Sequence, residues 1–157
     1  VRAFTIVKTA IPSAELVLIG DGTQRQKIEQ LIRKLHLEKS VTMLGKLDPE
    51  KIAKQLSRAD IFVNSSVTDN YPNSILEAFA TGLPVVTTSA GGIPYLVEHE
   101  TNGLIVNPGD YKSMGEAMIR LAKDYKLCFK LAEGGKKTAD RHSWSNVWPV
   151  LQQAYGV

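Results

Sequence analysis

Asp69, Ser74 and Glu77 fall within SSVTDNYPNSILEAFATGLPVVTTSAGGIP, the stretch from Ser65 to Pro94, and their types and spacing are the ones best suited to chemistry. Ser74-Ile75-Leu76-Glu77 has the S-x-x-E form of a capping box, so the spacing predicts a helix with Ser74 as its N-cap after a loop ending in Pro72 and Asn73. The amides of Ile75, Leu76 and Glu77 would then point out of the first turn without intrahelical partners, and the helix dipole adds partial positive charge there. Such an end attracts an anion, most often a phosphate. Asp69 in the loop and Glu77 in the first turn can border one pocket, and two acids beside a phosphate suggest hydroxyl groups, hence a sugar. Each feature also has a purely structural reading: Glu77 completes the cap, Asp69 closes an Asx turn, and Gly82-Leu83-Pro84 ends the helix.

To position these groups the chain must bring loops to one edge of a sheet. Residues 1–10 read as an amphipathic helix stopped by Pro12, and Glu15–Gly20 is a continuous apolar run that fits a parallel strand buried on both faces. Ile28, Leu31, Ile32 and Leu35 then follow a helical period. The unit repeats: strand Ser40–Gly45, a helix from Asp48 as N-cap with Pro49 at N1, and strand Asp60–Ser65. The helix at 74–81 leads to strand Pro84–Thr88, a short helix within 92–98 and strand Gly103–Val106. Asp110 caps a helix with Met114, Met118 and Leu121 on one face. Two closing helices span 125–137 and 144–155, the last with an apolar stripe of Trp144, Val147, Trp148, Leu151 and Tyr155.

Alternating strands and helices imply an α/β fold with a doubly wound, Rossmann-like parallel sheet. Ligands of such sheets bind beyond the carboxyl ends of the strands. The turns Gly20-Asp21-Gly22 and Gly45-Lys46-Leu47, the 66–73 loop and Ala90-Gly91-Gly92 all leave strands there and should surround one crevice.

The run D-N-Y-P-N-S-I-L-E-A-F-A-T-G-L-P-V-V-T-T-S-A-G-G-I-P resembles the donor domain of the retaining, GT-B-fold glycosyltransferases called group 1, whose pattern is E-G-F-P-N-S-x-L-E-A-(M/F)-A-x-G-x-P-V-V-x-(T/S)-x-x-G-G-x-P. It departs at Asp69, where the pattern has Glu, and at Asn70, where it has Gly. The resemblance implies a nucleotide diphosphate sugar as substrate, with Gly20, Asp21, Gly22 and the segment Val41 to Lys46, followed by Leu47, along the nucleoside. Glu77 would hold the ribose hydroxyls, and Asn73, Ser74, Ile75 and Leu76 would offer amides to the distal phosphate. Asp69, with Asn70 and Tyr71, would contact the donor sugar, so Asp69 and Glu77 are the acids expected to take part in catalysis. Asp is shorter than Glu by one C–C bond, about 1.5 Å, which makes a water-mediated contact or a different sugar the expectation.

The resemblance covers nearly the whole chain but not the first strand of such domains or the basic pair after it, in outline G-R, five to six residues, then K-G. The expectation is therefore an excised donor-binding domain, 1–157, with the N-terminal acceptor domain elsewhere. In a sheet of order 3-2-1-4-5-6 the absent strand is the central one, so either strands 15–20 and 60–65 close up and pair directly, the first expectation for a well-ordered monomer, or the N-terminal segment or another chain supplies the strand, or the domain is poorly stable. Other readings are a GT-B-fold epimerase or phosphorylase, or a nucleotide-sugar binding module without catalysis. An NAD-binding domain is disfavoured, because no G-x-G-x-x-G follows the first visible strand.

Composition agrees with one globular domain of 157 residues. The net charge of +3 is spread along the chain, which gives no argument for nucleic acid or a membrane. Cys128 is the only cysteine, so an internal disulfide and a Cys-based zinc site are excluded. His36, His99 and His142 have no ligand-spaced partners and are expected as surface or cap residues, with no metal and no resident cofactor. Ser65 and Ser66 lack a G-x-S-x-G setting for a hydrolase nucleophile. The expected location is the cytoplasm or the inner face of a membrane, with membrane contact only through parts outside this chain.

Overall fold

A computed structural model describes residues 1–156. The elements in chain order are α1 (Arg2–Ala10), β1 (Leu16–Ile19), α2 (Arg25–Lys34), β2 (Val41–Gly45), α3 (Pro49–Leu56), β3 (Phe62–Val63), α4 (Asn73–Ala80), β4 (Val85–Thr88), a 3-10 turn (Ile93–Tyr95), β5 (Gly103–Val106), α5 (Tyr111–Lys123), α6 (Tyr125–Arg141) and α7 (Trp144–Tyr155). The predicted alternation is thus observed, and all the strand pairs are parallel. Local signals set several boundaries as expected: the Asp48 carboxylate accepts from the Lys51 amide at 2.9 Å, and that of Asp110 accepts from the Ser113 amide at 3.0 Å.

All four residues of β4 are buried, and its two faces serve two cores. Val86 packs in a cluster with Phe4 and Val7 of α1 and Met114, Met118 and Leu121 of α5. Val85 packs with Ile75, Ala78 and Phe79 of α4. Burial on both faces thus falls to β4 and not to β1, where the continuous apolar run predicts it: Leu16 and Leu18 pack on the core, but nothing covers the face of Val17 and Ile19 among the described residues. Phe79 is fully buried, and a Cβ on Gly135 would lie 2.5 Å from its ring, so α6 approaches α4 closely at a residue without a side chain. Burying the Phe79 ring alone is worth about 1.5–3 kcal/mol.

The structure departs from the expected single sheet. β1 and β2 form a two-stranded sheet, β3, β4 and β5 a three-stranded one, and among the described residues no ladder joins β1 to β3. Direct closure does not occur. The reason lies in what each strand already holds: Leu16 and Leu18 of β1 and Val63 of β3, together with Ile61, pack against the α1–α5 core, so a lateral shift of about 4.8 Å would pull them from it. β3 is also only two residues long, shorter than the predicted 60–65. Its pairing goes to β4, with Phe62 N–H donating to Pro84 O at 3.0 Å and Asn64 N–H to Val86 O at 2.9 Å. Val17 and Ile19 of β1 remain exposed.

Other elements differ in extent. The helix expected within 92–98 is a single 3-10 turn, and α6 runs on to Arg141. The apolar stripe of α7 is present in sequence but not buried: no residue of this helix is buried, and Trp144 and Trp148 stack on each other at 5.2 Å. No helix among the described residues is long and apolar enough to cross a membrane.

Candidate functional site

The loop between β3 and α4 is built from its own polar side chains. Asn64, buried at the end of β3, accepts from the Ser66 amide through Oδ1 at 2.9 Å, an Asx turn that redirects the chain out of the strand. The Thr88 hydroxyl, at the end of β4, donates to Ser66 O at 2.6 Å. Ser66 Oγ in turn donates to Asp69 Oδ2 at 3.3 Å, leaving Oδ1 of Asp69 free for a ligand. The Asp69 carbonyl accepts from the Gly92 amide at 2.9 Å. A Cβ on Gly91 would collide with the Asp69 carbonyl and one on Gly92 with that of Asn70, so only glycine lets these two loops touch.

The start of α4 differs from the capping box. Pro72 is the N-cap, in extended conformation, the helix begins at Asn73, and no side chain caps it. The Ile75 amide donates to Pro72 O at 3.0 Å, and the amides of Leu76 and Glu77 lie inside the helix. The first-turn donors without a backbone acceptor among the described residues are those of Asn73 and Ser74, ahead of the predicted set Ile75, Leu76 and Glu77 because the N-cap lies two residues earlier. Both residues are exposed, whereas the Ile75 side chain is fully buried and that of Leu76 partly so. Freed from a capping role, the Glu77 carboxylate is exposed and has no hydrogen bond or ion pair among the described residues.

A second pair of loops lies at the carboxyl ends of β1 and β2. The Gly20 amide donates to Gly45 O at 2.8 Å, which joins Gly20-Asp21-Gly22 to Gly45-Lys46-Leu47. Gly20 has φ +124° and Gly45 φ +70°, conformations that require glycine there. Arg25, at the start of α2, reaches both turns: its Nη1 lies 3.7 Å from Asp21 Oδ2, its Nε donates to Glu29 at 3.0 Å, and a Cβ on Gly45 would sit 3.4 Å from Nη1. The sequence reading passed over Arg25, although its place four residues after Asp21 and four before Glu29 is visible in the sequence. Lys46 is exposed and Leu47 half-buried.

The predicted loops are therefore joined in two pairs, Gly20–Gly45 and Asp69–Gly92, each at the carboxyl ends of parallel strands. His142, expected as a surface or cap residue, is the C-cap of α6 and also lies 2.6 Å from the Tyr71 hydroxyl through Nε2.

Parallel βα units with glycine turns at the strand ends and a polar loop before an uncapped helix define this as a Rossmann-like α/β domain. Residues 1–138 match the family model described as glycosyl transferases group 1. The chain is 33% identical over 138 residues to N-acetyl-alpha-D-glucosaminyl L-malate synthase of Bacillus anthracis, covering 88% of this chain and 35% of that protein. It superimposes on the C-terminal domain of a group 1 glycosyl transferase, LpcC of Francisella tularensis, with TM-score 0.80 and 26% identity over 88% of this chain and 74% of that one. It also shares its fold with Alr3699/HepE of Anabaena, solved with UDP-glucose, at TM-score 0.87 and 22% identity over 99% of this chain and 44% of that one. The chain belongs to the group 1 glycosyl transferase family, and it spans 35% of the length of the Bacillus relative.

Proposed function

We propose that this chain is the donor-binding domain of a glycosyltransferase that moves a sugar from a nucleotide diphosphate sugar to an acceptor with retention of configuration. The observation that carries the reading is the start of α4, where the Asn73 and Ser74 amides lack backbone acceptors among the described residues, with Asp69 in the loop before them and Glu77 exposed one turn after Asn73. Amides at a helix start suit the distal phosphate, where charge grows as the sugar departs. Glu77 accepts from the ribose hydroxyls, and Asp69 accepts from a hydroxyl of the donor sugar, with Asn70 and Tyr71 lining that side. The Gly20–Gly22 and Gly45–Leu47 turns take the nucleoside, Arg25 holding them together. No resident metal or cofactor enters this reading, since backbone amides meet the diphosphate. The acceptor is bound by a further domain, as the share of the relatives' length covered here suggests, and the protein works in the cytoplasm or at the inner face of a membrane.

The test is a titration of UDP-, GDP- and ADP-sugars against the protein at its full natural length. One nucleotide class should bind, and perturb the amide signals of Asn73 and Ser74. Absence of binding by all three, or shifts confined to other residues, would overturn the reading.

A further inference from the structure

Tyr71 stands two positions after Asp69 and reaches out of the loop to α6. Its hydroxyl lies 2.6 Å from Nε2 of His142, and the rings are tilted by 49° with centroids 5.9 Å apart. On the other side of the imidazole, Nδ1 lies 2.7 Å from the carbonyl oxygen of Thr138. A carbonyl can only accept, so Nδ1 carries the proton, and in the neutral ring Nε2 is left to accept from the Tyr71 hydroxyl. The anchor behind His142 is firm. Thr138 is 3% exposed, its hydroxyl donates to Gly134 O at 3.1 Å, and it accepts from Asn102 Nδ2 at 3.0 Å. Asn102 also donates to Leu96 O at 3.1 Å, in the segment that follows Gly91 and Gly92.

The acid-bearing loop is thus held at Ser66 by the Thr88 hydroxyl, at Asp69 by the Gly92 amide and at Tyr71 by His142. We propose that His142 is a positioning residue for the donor-sugar side of the site, fixing the 69–71 segment through Tyr71 so that the Asp69 carboxylate is held toward the sugar. The proposal rests on the reading of Asp69 as the sugar-facing acid. A shorter acid at 69 gives the tether its use: Asp has less reach than Glu, and a fixed loop removes the slack that a missing methylene adds.

The experiment compares Tyr71→Phe, His142→Ala and the double variant with the wild type at full natural length. Phe fits the pattern at this position, and the backbone bonds of His142 do not involve its ring, so the variants should fold with unfolding midpoints near that of the wild type. Ring 15N signals should show the Nδ1–H tautomer of His142, with Nε2 shifting in Tyr71→Phe. Turnover of whichever of UDP-, GDP- or ADP-glucose the wild type uses should fall about three- to tenfold in each single variant and no further in the double, as one shared hydrogen bond requires. Affinity for the matching nucleoside diphosphate should stay within about twofold, since the tether acts on the sugar side. Unchanged turnover, an equal loss of diphosphate affinity, additive losses, or an Nε2 signal indifferent to Tyr71→Phe would each overturn the proposal. Failure of the donor reading would show separately, as a wild type that binds none of the three diphosphates.

Discussion

The amide of Gly92 donates to the carbonyl of Asp69 at 2.9 Å, so the turn after β4 holds the backbone of the acid-bearing loop directly. A Cβ at Gly92 would overlap the neighbouring Asn70 carbonyl, a backbone atom that cannot swing aside as a side-chain end could. Gly92→Ala should therefore push the two loops apart, with about 1–3 kcal/mol of lost stability as for other overpacked sites. Urea unfolding measures the stability and nucleotide-sugar titration the site. A variant equal to wild type in both would show that the loops do not depend on this contact.

Glu77 gives a cleaner separation than the capping-box pattern suggests. Because Pro72 is the N-cap and no side chain caps α4, Glu77→Ala should change stability by no more than about 0.5 kcal/mol, as for ordinary surface substitutions. Nucleotide affinity should fall about tenfold or more, the scale of a lost hydrogen bond to a charged group. Glu77→Gln should lose most of the same affinity. Retention of wild-type affinity by Gln would remove the carboxylate from ribose recognition.

Asp69 makes one hydrogen bond through its carboxylate, to Ser66 at 3.3 Å, and is proposed to face the sugar. Asp69→Ala should lower turnover at least about tenfold while nucleoside diphosphate affinity changes much less. Steady-state kinetics beside calorimetric titration distinguishes the two, and matching losses would place Asp69 on the nucleotide side.

Acid should weaken the fold through three carboxyls outside the site. A hydrogen bond from Lys51 holds Asp48 below the usual carboxylate range, one from Ser113 does so for Asp110, and one from Arg120 for Glu100. Each binds its proton less readily folded than unfolded, so its stabilisation is complete above the ordinary values of 3.8 and 4.5 and is lost as pH falls through the lowered ones. Asn still caps a helix but carries no charge, so Asp110→Asn should show a shallower decline of the urea midpoint in acid than wild type. Parallel declines would assign the acid sensitivity elsewhere.

What could be read in the sequence follows the range of the interaction. The Asp48 and Asp110 caps depend on residues a few positions apart, and both are as the sequence predicts, whereas the burial on both faces expected of Glu15–Gly20 fails, because only the Leu16 and Leu18 face of β1 meets the core. The Ser74 cap was misplaced by a local competitor: Pro72 settles into extended backbone and lets Asn73 open the helix. The separation of β1 from β3 depends on core packing between distant segments, which no local pattern encodes. Tyr71 and His142 are 71 residues apart, and neither carries a motif that points to the other. The α7 stripe has the period of a buried helix face, but no residue of that helix is buried, so periodicity named a face without naming its cover.

The break between the two sheets also divides the chain's cooperativity. β1 and β2 could part from the rest without cutting an inter-strand hydrogen bond, because the α1–α5 core joins them to β3 through side chains alone. β4 is laddered along both edges and cannot open unless its neighbours do. Solvent exchange of amide protons should then run in that order, quickest along Leu16–Ile19 and slowest along Val85–Thr88, making the Gly20–Gly22 and Gly45–Leu47 turns the pliant half of the molecule, while the acid-bearing loop is moored to its stiffest strand through Thr88.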